Sequence, residues 1–96
     1  MSAPGLGLTY RVEAPPGYVA QVKAAIAALL LSGANIKSVD FNGPPLAVSL
    51  ILVNTEEELA LTPTDDPIFG TVEVGVNPQP IDGIDLVVRL GSAYLD

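Results

Sequence analysis

Residues 20–31 read AQVKAAIAALLL, a stretch in which Lys23 is the only charged side chain. Alanine and leucine are the best intrinsic helix formers, so the composition predicts a helix from about Gly17 to Ser32. Pro15-Pro16 suits the start of a helix, and Gly33 can adopt the left-handed conformation that ends many helices. The chain is therefore predicted to contain one substantial helix with almost no charge.

This predicted helix has two apolar sides. At 100° per residue, one third of its circumference is a stripe that we expect to pack on a sheet. The opposite side is also apolar, where a solvent-facing helix normally has Glu, Lys, Arg or Gln. The first set is Val19, Val22, Ile26, Leu29 and Leu30, and the second is Ala20, Ala24, Ala27, Ala28 and Leu31.

Two interpretations of the second side remain open. The alanines could simply be exposed helix formers, since alanine costs nothing there. Alternatively, the small side chains could allow a partner helix to approach closely. No second long helix is predicted in the chain, so such a partner would be another subunit around a symmetry axis. We favour the second interpretation and predict an oligomer interface at Ala20, Ala24, Ala27, Ala28 and Leu31.

The segments around the helix have the alternation of β-strands. Leu6–Glu13 places apolar residues on one side, which is typical of a half-buried strand. Asn35–Phe41 predicts a second strand, and Leu46–Val53 is apolar on both faces, as expected for the centre of a sheet. Asn42-Gly43, between the last two, is the dipeptide that best fits a type I′ hairpin turn.

The second half of the chain predicts one short helix and two more strands. Thr55 to Glu58 has the spacing of a capping box, which would open a helix through Leu61. Ile68–Val76 and Ile84–Leu90 alternate as strands. The whole chain, residues 1–96, is predicted to be a single α+β domain, with one main helix packed on a mostly antiparallel sheet of about five strands. The strands on either side of the main helix could be parallel neighbours.

Composition points to a covered surface. The 96-residue chain is 49% hydrophobic and only 16% charged, whereas ordinary domains have about 25% charged residues. A small domain has a high ratio of surface to volume, so it should need more polar residues than average. Either the surface of this domain is unusually apolar, or part of it is covered by another chain.

Charge and residue types exclude several functions. The net charge is −7 with only four Lys and Arg, which disfavours binding to nucleic acid or to an anionic membrane. The acidic excess lies in residues 54–96, which hold nine acids and one base. Without Cys or His there is no catalytic triad, thiol nucleophile or zinc site of the common types. We therefore predict no enzyme activity, no cofactor and no small-molecule ligand.

Carboxylates are the only plentiful reactive groups. Asp65-Asp66 and Asp82 with Asp85 could meet at one end of the sheet and hold a calcium ion through carboxylate and carbonyl oxygens. Neither segment concentrates its ligands as calcium loops do, and Asp is an ordinary turn residue. Turn chemistry is therefore the favoured interpretation of all four acids.

No natural family is recognised, but the chain looks like a computationally designed α+β homo-oligomer. Three features carry this resemblance: the absence of Cys, His and Trp, the Asn-Gly hairpin with the capping box, and the apolar outer helix face. It implies a structural self-assembly protein whose partner is a second copy of itself. The alternative is a natural binding module of phage or virion type that docks another protein through the same face or an edge strand. Without a signal peptide or membrane span, a soluble, cytoplasmic protein is expected.

Overall fold

The computed structural model of the protein describes residues 7–96; Leu6, at the predicted start of the first strand, lies outside this range. Six strands and three helices are present in it. In chain order they are β1 (Thr9–Glu13), α1 (Val19–Leu31), β2 (Asn35–Asp40), β3 (Ser49–Val53), α2 (Glu56–Leu61), β4 (Asp65–Asp66), β5 (Gly70–Val76), β6 (Leu86–Arg89) and α3 (Ser92–Leu95).

The strands form one mixed sheet in the order β2-β1-β6-β3-β5-β4. Three neighbouring pairs are parallel and two are antiparallel. The predicted α+β class, with one main helix packed on a sheet, is confirmed. The strands that flank α1 are parallel neighbours, a possibility that the sequence left open, because β1 and β2 pair in parallel.

Helix α1 ends where predicted, just before Gly33. Gly33 has a φ of 95°, in the left-handed region that glycine adopts without steric cost. The amide of Gly33 donates to the carbonyl of Leu30, and the amide of Ala34 donates to that of Leu29. These two bonds form a Schellman motif, which satisfies carbonyls that the helix leaves without partners. The chain then turns directly into β2.

The predicted hairpin at Asn42-Gly43 is wrong. β2 and β3 are separated in the sheet by β1 and β6, so the segment that contains Gly43 crosses between distant strands. Gly43 is needed for a different reason: a Cβ atom there would lie 3.1 Å from the backbone of Ala14. The Gly43 amide donates to the Ala14 carbonyl at 3.0 Å, so the two backbones are in direct contact.

The core lies between the sheet and the helices, which all pack on one face. Val12, Val88 and Ile51 of neighbouring strands point to this face, where they meet Leu29 of α1 and Leu95 of α3. β3 is buried on both faces, as predicted for a central strand. Its second face belongs to a smaller cluster of Leu52, Ile84 and Val87.

The short helix α2 begins and ends as predicted. The hydroxyl oxygen of Thr55 accepts a hydrogen bond from the amide of Glu58, as expected of the N-cap in a capping box. The carboxylate of Glu58 accepts a bond from the Thr55 hydroxyl and does not reach back to the Thr55 amide. The box is thus half formed, and the helix runs to Leu61 before Pro63.

Candidate functional site

The outer face of α1 is an uncovered apolar surface. Of the predicted interface residues, Ala20, Ala24, Ala27 and Leu31 are exposed, and Ala28 is half-buried at the edge of the face. Leu31 has 91% of its surface exposed. The structure therefore brings the five residues together along one side of the helix, away from the sheet.

The buried side of α1 differs from the predicted stripe. Val22 and Leu29 are buried as predicted, and Ile26 is half-buried. Val19 and Leu30 were predicted to face the sheet but are 50% and 53% exposed. Ala25 is fully buried in their place. The inward line of contact is Val22, Ala25 and Leu29, and the small Ala25 side chain lets the helix approach the sheet closely.

Compared with the prediction, α1 is rotated about its axis so that Val19 and Leu30 face outward, and this enlarges its exposed apolar surface. Seven residues of α1 are exposed, and Lys23 is the only polar one. Because α1 is apolar all round, its pattern of residue types did not identify the side that faces the sheet. Nothing in the sequence distinguished Ala25 from the exposed alanines. We call this surface the α1 face; its members are Val19, Ala20, Lys23, Ala24, Ala27, Leu30 and Leu31.

A groove of about 330 Å³ adjoins the C-terminal end of the α1 face. One wall consists of Ala28 and Leu31, the other of Pro67 and Ile68, and Tyr10 lines it between them. The walls are apolar, so the groove continues the apolar character of the α1 face. Sequence reasoning missed it because the segment that forms the second wall follows α1 by more than thirty residues.

Asp66 is the charged side chain of this groove. Its Oδ1 atom accepts hydrogen bonds from the amides of Ile68 (2.8 Å) and Phe69 (3.1 Å), which fixes the turn after β4. Its Oδ2 atom accepts no hydrogen bond from any residue between 7 and 96.

Burial, together with the nearby carboxylates of Asp66 and Asp85, raises the pKa of the Tyr10 phenol to about 12. Tyr10 therefore keeps its proton at neutral pH.

Of the four acids considered for calcium, two form structural hydrogen bonds and two are exposed. Asp85 accepts a hydrogen bond from the Thr9 amide at 2.8 Å, and Asp66 stabilises the turn described above. Among residues 7–96, no group of three or more Asp, Glu, His or Cys side chains is placed to hold a metal ion. Asp65 and Asp82 are exposed. Turn and strand-end hydrogen bonding accounts for the two acids that are partly buried.

The helix-free face of the sheet has a charge network that the sequence did not indicate. The Glu13 carboxylate accepts hydrogen bonds from Arg11 Nε (2.9 Å) and Arg89 Nε (2.8 Å). Arg11 also lies 3.5 Å from Asp40 and donates to the Ser38 hydroxyl. The network is electrically neutral and joins three adjacent strands. Burial by itself raises the pKa of Glu13, but the hydrogen bonds and charges of Arg11 and Arg89 outweigh it, so that the pKa lies below its usual range.

The lowered pKa of Glu13 predicts a loss of stability in acid. A carboxylate with a depressed folded-state pKa contributes stability above its unfolded pKa of about 4.3, and this contribution is lost as pH falls through the folded value. We expect Glu13→Gln to cost about 1.5 kcal/mol of unfolding free energy at pH 7, because both arginines are partly exposed and solvent screens them. The difference from wild type should shrink steadily below about pH 4.3. Urea unfolding at several pH values measures it.

A matched control is Glu73→Gln, since Glu73 is exposed on the same sheet. That variant should unfold like wild type at pH 7. A cost for Glu13→Gln that stayed constant down to pH 2 would show that the loss is one of packing and that the charge of Glu13 has no role.

No helix among residues 7–96 is long and apolar enough to cross a bilayer. Comparisons with protein-family models, with curated proteins and with solved structures found no significant match. A functional interpretation therefore has to come from the surface of this chain.

Proposed function

We propose that this chain is a structural self-assembly protein that forms a symmetric homo-oligomer through the α1 face and has no catalytic activity. The observation that carries the proposal is the exposure of that face. Val19, Leu30 and Leu31 are all at least half exposed on a helix with a single charged residue. Contiguous apolar surface of this kind on a small domain marks an interaction site.

The edges of the sheet favour the α1 face over strand pairing. β2, at one edge, has Lys37 exposed, and its register with β1 shifts so that Lys37 has no partner strand residue. The other edge, β4, is only two residues long, and both are aspartates. Short strands, irregular register and charged side chains are the features that prevent edge-to-edge association. They disfavour the alternative in which a partner adds a strand to the sheet.

A second copy is the most economical partner. Two-fold association buries the same patch on both subunits, so an apolar face covers itself without requiring a second protein. The low share of charged residues in the whole chain supports the same conclusion, because it fits a domain whose surface is partly covered. The resemblance to designed oligomers remains a prediction; the hairpin, one of the features behind it, is absent.

The solution mass of the purified chain tests the proposal. We expect light scattering at micromolar concentration to give an integral multiple of the 9.9 kDa chain mass. Dilution should shift the population toward monomer, since a small interface gives modest affinity. A monodisperse monomer at every concentration would overturn the proposal and leave docking to a different protein as the remaining interpretation.

A further inference from the structure

We infer that, if the α1 face is the self-association surface of the proposed function, Lys23 of each copy occupies the groove of the other. Its aliphatic stem would lie between the end of α1 and the Pro67-Ile68 wall. Its ammonium group would pair with the carboxylate of Asp66. The occupant of the groove is thus a side chain of a second copy of this chain, and each dimer would contain two such pairs.

The α1 face by itself is small for a complete interface. α1 has 13 residues, so its outer face is about 20 Å long and about 10 Å wide. A standard interface buries about 800 Å² on each partner, which is considerably more. A stable dimer must therefore extend onto neighbouring surface. The groove is continuous with the face, because Ala28 and Leu31 belong both to it and to the predicted interface.

Lys23 is the residue of the α1 face that apolar packing does not explain. It is exposed among apolar neighbours and forms no ion pair with any residue between 7 and 96. Covering it with a purely apolar partner surface would leave a desolvated charge without a counter-ion, which is strongly unfavourable. A self-associating α1 face therefore needs a carboxylate at the place where Lys23 of the partner arrives.

The groove supplies that carboxylate together with an apolar lining. Lysine buries its methylene stem along apolar surface and keeps its ammonium at a polar end. The Ala28, Leu31 and Ile68 side chains offer the apolar surface, and Asp66 offers an oxygen, Oδ2, that no residue between 7 and 96 hydrogen-bonds. The groove is also large: about 330 Å³ is on the order of ten waters. It can hold a long side chain.

Symmetry makes the pairing self-consistent. In an isologous interface one patch both inserts and receives, so the inserted group and its receptor must lie on the same surface. Lys23 and Asp66 satisfy this condition, since one lies on the α1 face and the other in the groove beside it. Local attraction of opposite charges is also required here, because each copy has a net charge of −7 and two copies repel at long range.

A double-mutant cycle on the dimer dissociation constant tests the pairing. Lys23→Met keeps most of the stem and removes the charge. Asp66→Asn removes the charge but keeps the oxygen that the turn amides need. We expect each single variant to weaken dimerisation about ten-fold, from two lost pairs per dimer. The double variant should be no weaker than either single one, because the interaction is already lost.

Matched controls separate the pairing from the change in net charge. Lys37→Met and Glu73→Gln alter the net charge of the chain by the same amounts at exposed positions outside the α1 face. Sedimentation velocity of all five variants beside wild type gives the constants, and circular dichroism reports that each is folded. The inference would be overturned if the dissociation constants of Lys23→Met and Asp66→Asn equalled those of their controls. It would also be overturned if the two effects multiplied in the double variant.

Cross-linking with a carbodiimide tests the contact in the wild-type chain. This reagent joins an amine directly to a carboxylate, and a mixture of ¹⁴N- and ¹⁵N-labelled copies distinguishes links between chains from links within one chain. We expect a mixed-label peptide that joins Lys23 to Asp66. If Ala27→Glu abolishes the dimer but no such link forms, the proposed function stands and this inference fails. If wild type is a monomer throughout, both fail.

Discussion

Ala27→Glu is expected to convert the oligomer into a monomer while its circular dichroism stays native-like. Ala27 is exposed at the middle of the α1 face, and its side chain contributes nothing to the core. In a symmetric dimer the substitution would bury two unpaired carboxylates of like charge, so we expect the dissociation constant to rise at least 100-fold. Light scattering at micromolar concentration would then give the mass of one 9.9 kDa chain.

Ala60→Glu is the matched control for this prediction. Ala60 is exposed in the short helix α2, outside the α1 face, and the chemical change is identical. This variant should keep the mass of the wild-type oligomer. An unchanged mass for Ala27→Glu would remove the α1 face from the interface, even if the chain still forms oligomers through another surface.

Gly91→Ala should destabilise the fold more than the same substitution at Gly43 or Gly75. A Cβ atom at Gly91 would lie 2.6 Å from the amide nitrogen of Ser49 and 2.7 Å from the carbonyl oxygen of Val48. Both atoms belong to the backbone, so relief requires a shift of β3 against α3. The Gly91 amide also donates to the buried Ser49 hydroxyl at 3.0 Å, and the shift would strain that bond. We expect a loss of about 3 kcal/mol or more, seen as a fall in Tm of at least about 12 °C.

Alanine substitutions at two other glycines provide comparisons for this prediction. Gly75→Ala places its methyl 3.5 Å from the flexible Leu52 side chain, an ordinary contact, and should leave Tm within a few degrees of wild type. Gly43→Ala meets the Ala14 backbone at 3.1 Å and should fall between the two. Thermal unfolding of the three variants gives the order, and a Gly91→Ala variant as stable as Gly75→Ala would contradict the close approach of the two backbones.

Local sequence was sufficient to predict most of the secondary structure. The helix end at Gly33, the Thr55 cap and the central position of β3 all depend on residues close together in the chain, and the structure confirms them. Glycine conformation, side-chain capping and unbroken apolar runs act over a few residues. The α+β class followed from the number and type of these elements.

The candidate site could be predicted only in part. Exposure of Ala20, Ala24, Ala27 and Leu31 agrees with the predicted outer side of α1. The neighbouring groove was not predicted, nor was the Asp66 oxygen that no residue between 7 and 96 hydrogen-bonds, because both depend on where the segment after α2 returns to the sheet. The Glu13 network was missed for a similar reason, because Arg89 reaches Glu13 only through the pairing of β1 with β6.

The sequence by itself determined where most of the helices and strands form, where α1 stops, and that its surface is too apolar for an isolated soluble helix. The tertiary structure alone decided that Asn42-Gly43 makes no hairpin and that α1 is rotated, with Ala25 inward and Leu30 outward. Both outcomes follow from packing between residues that are distant in the sequence. The parallel β1-α1-β2 unit fixes α1 close against the sheet, and β3 then pairs with β6 and β5, whose registers bury both of its faces. Long-range packing of this kind outweighs local conformational preferences, which are about 1 kcal/mol or less per residue.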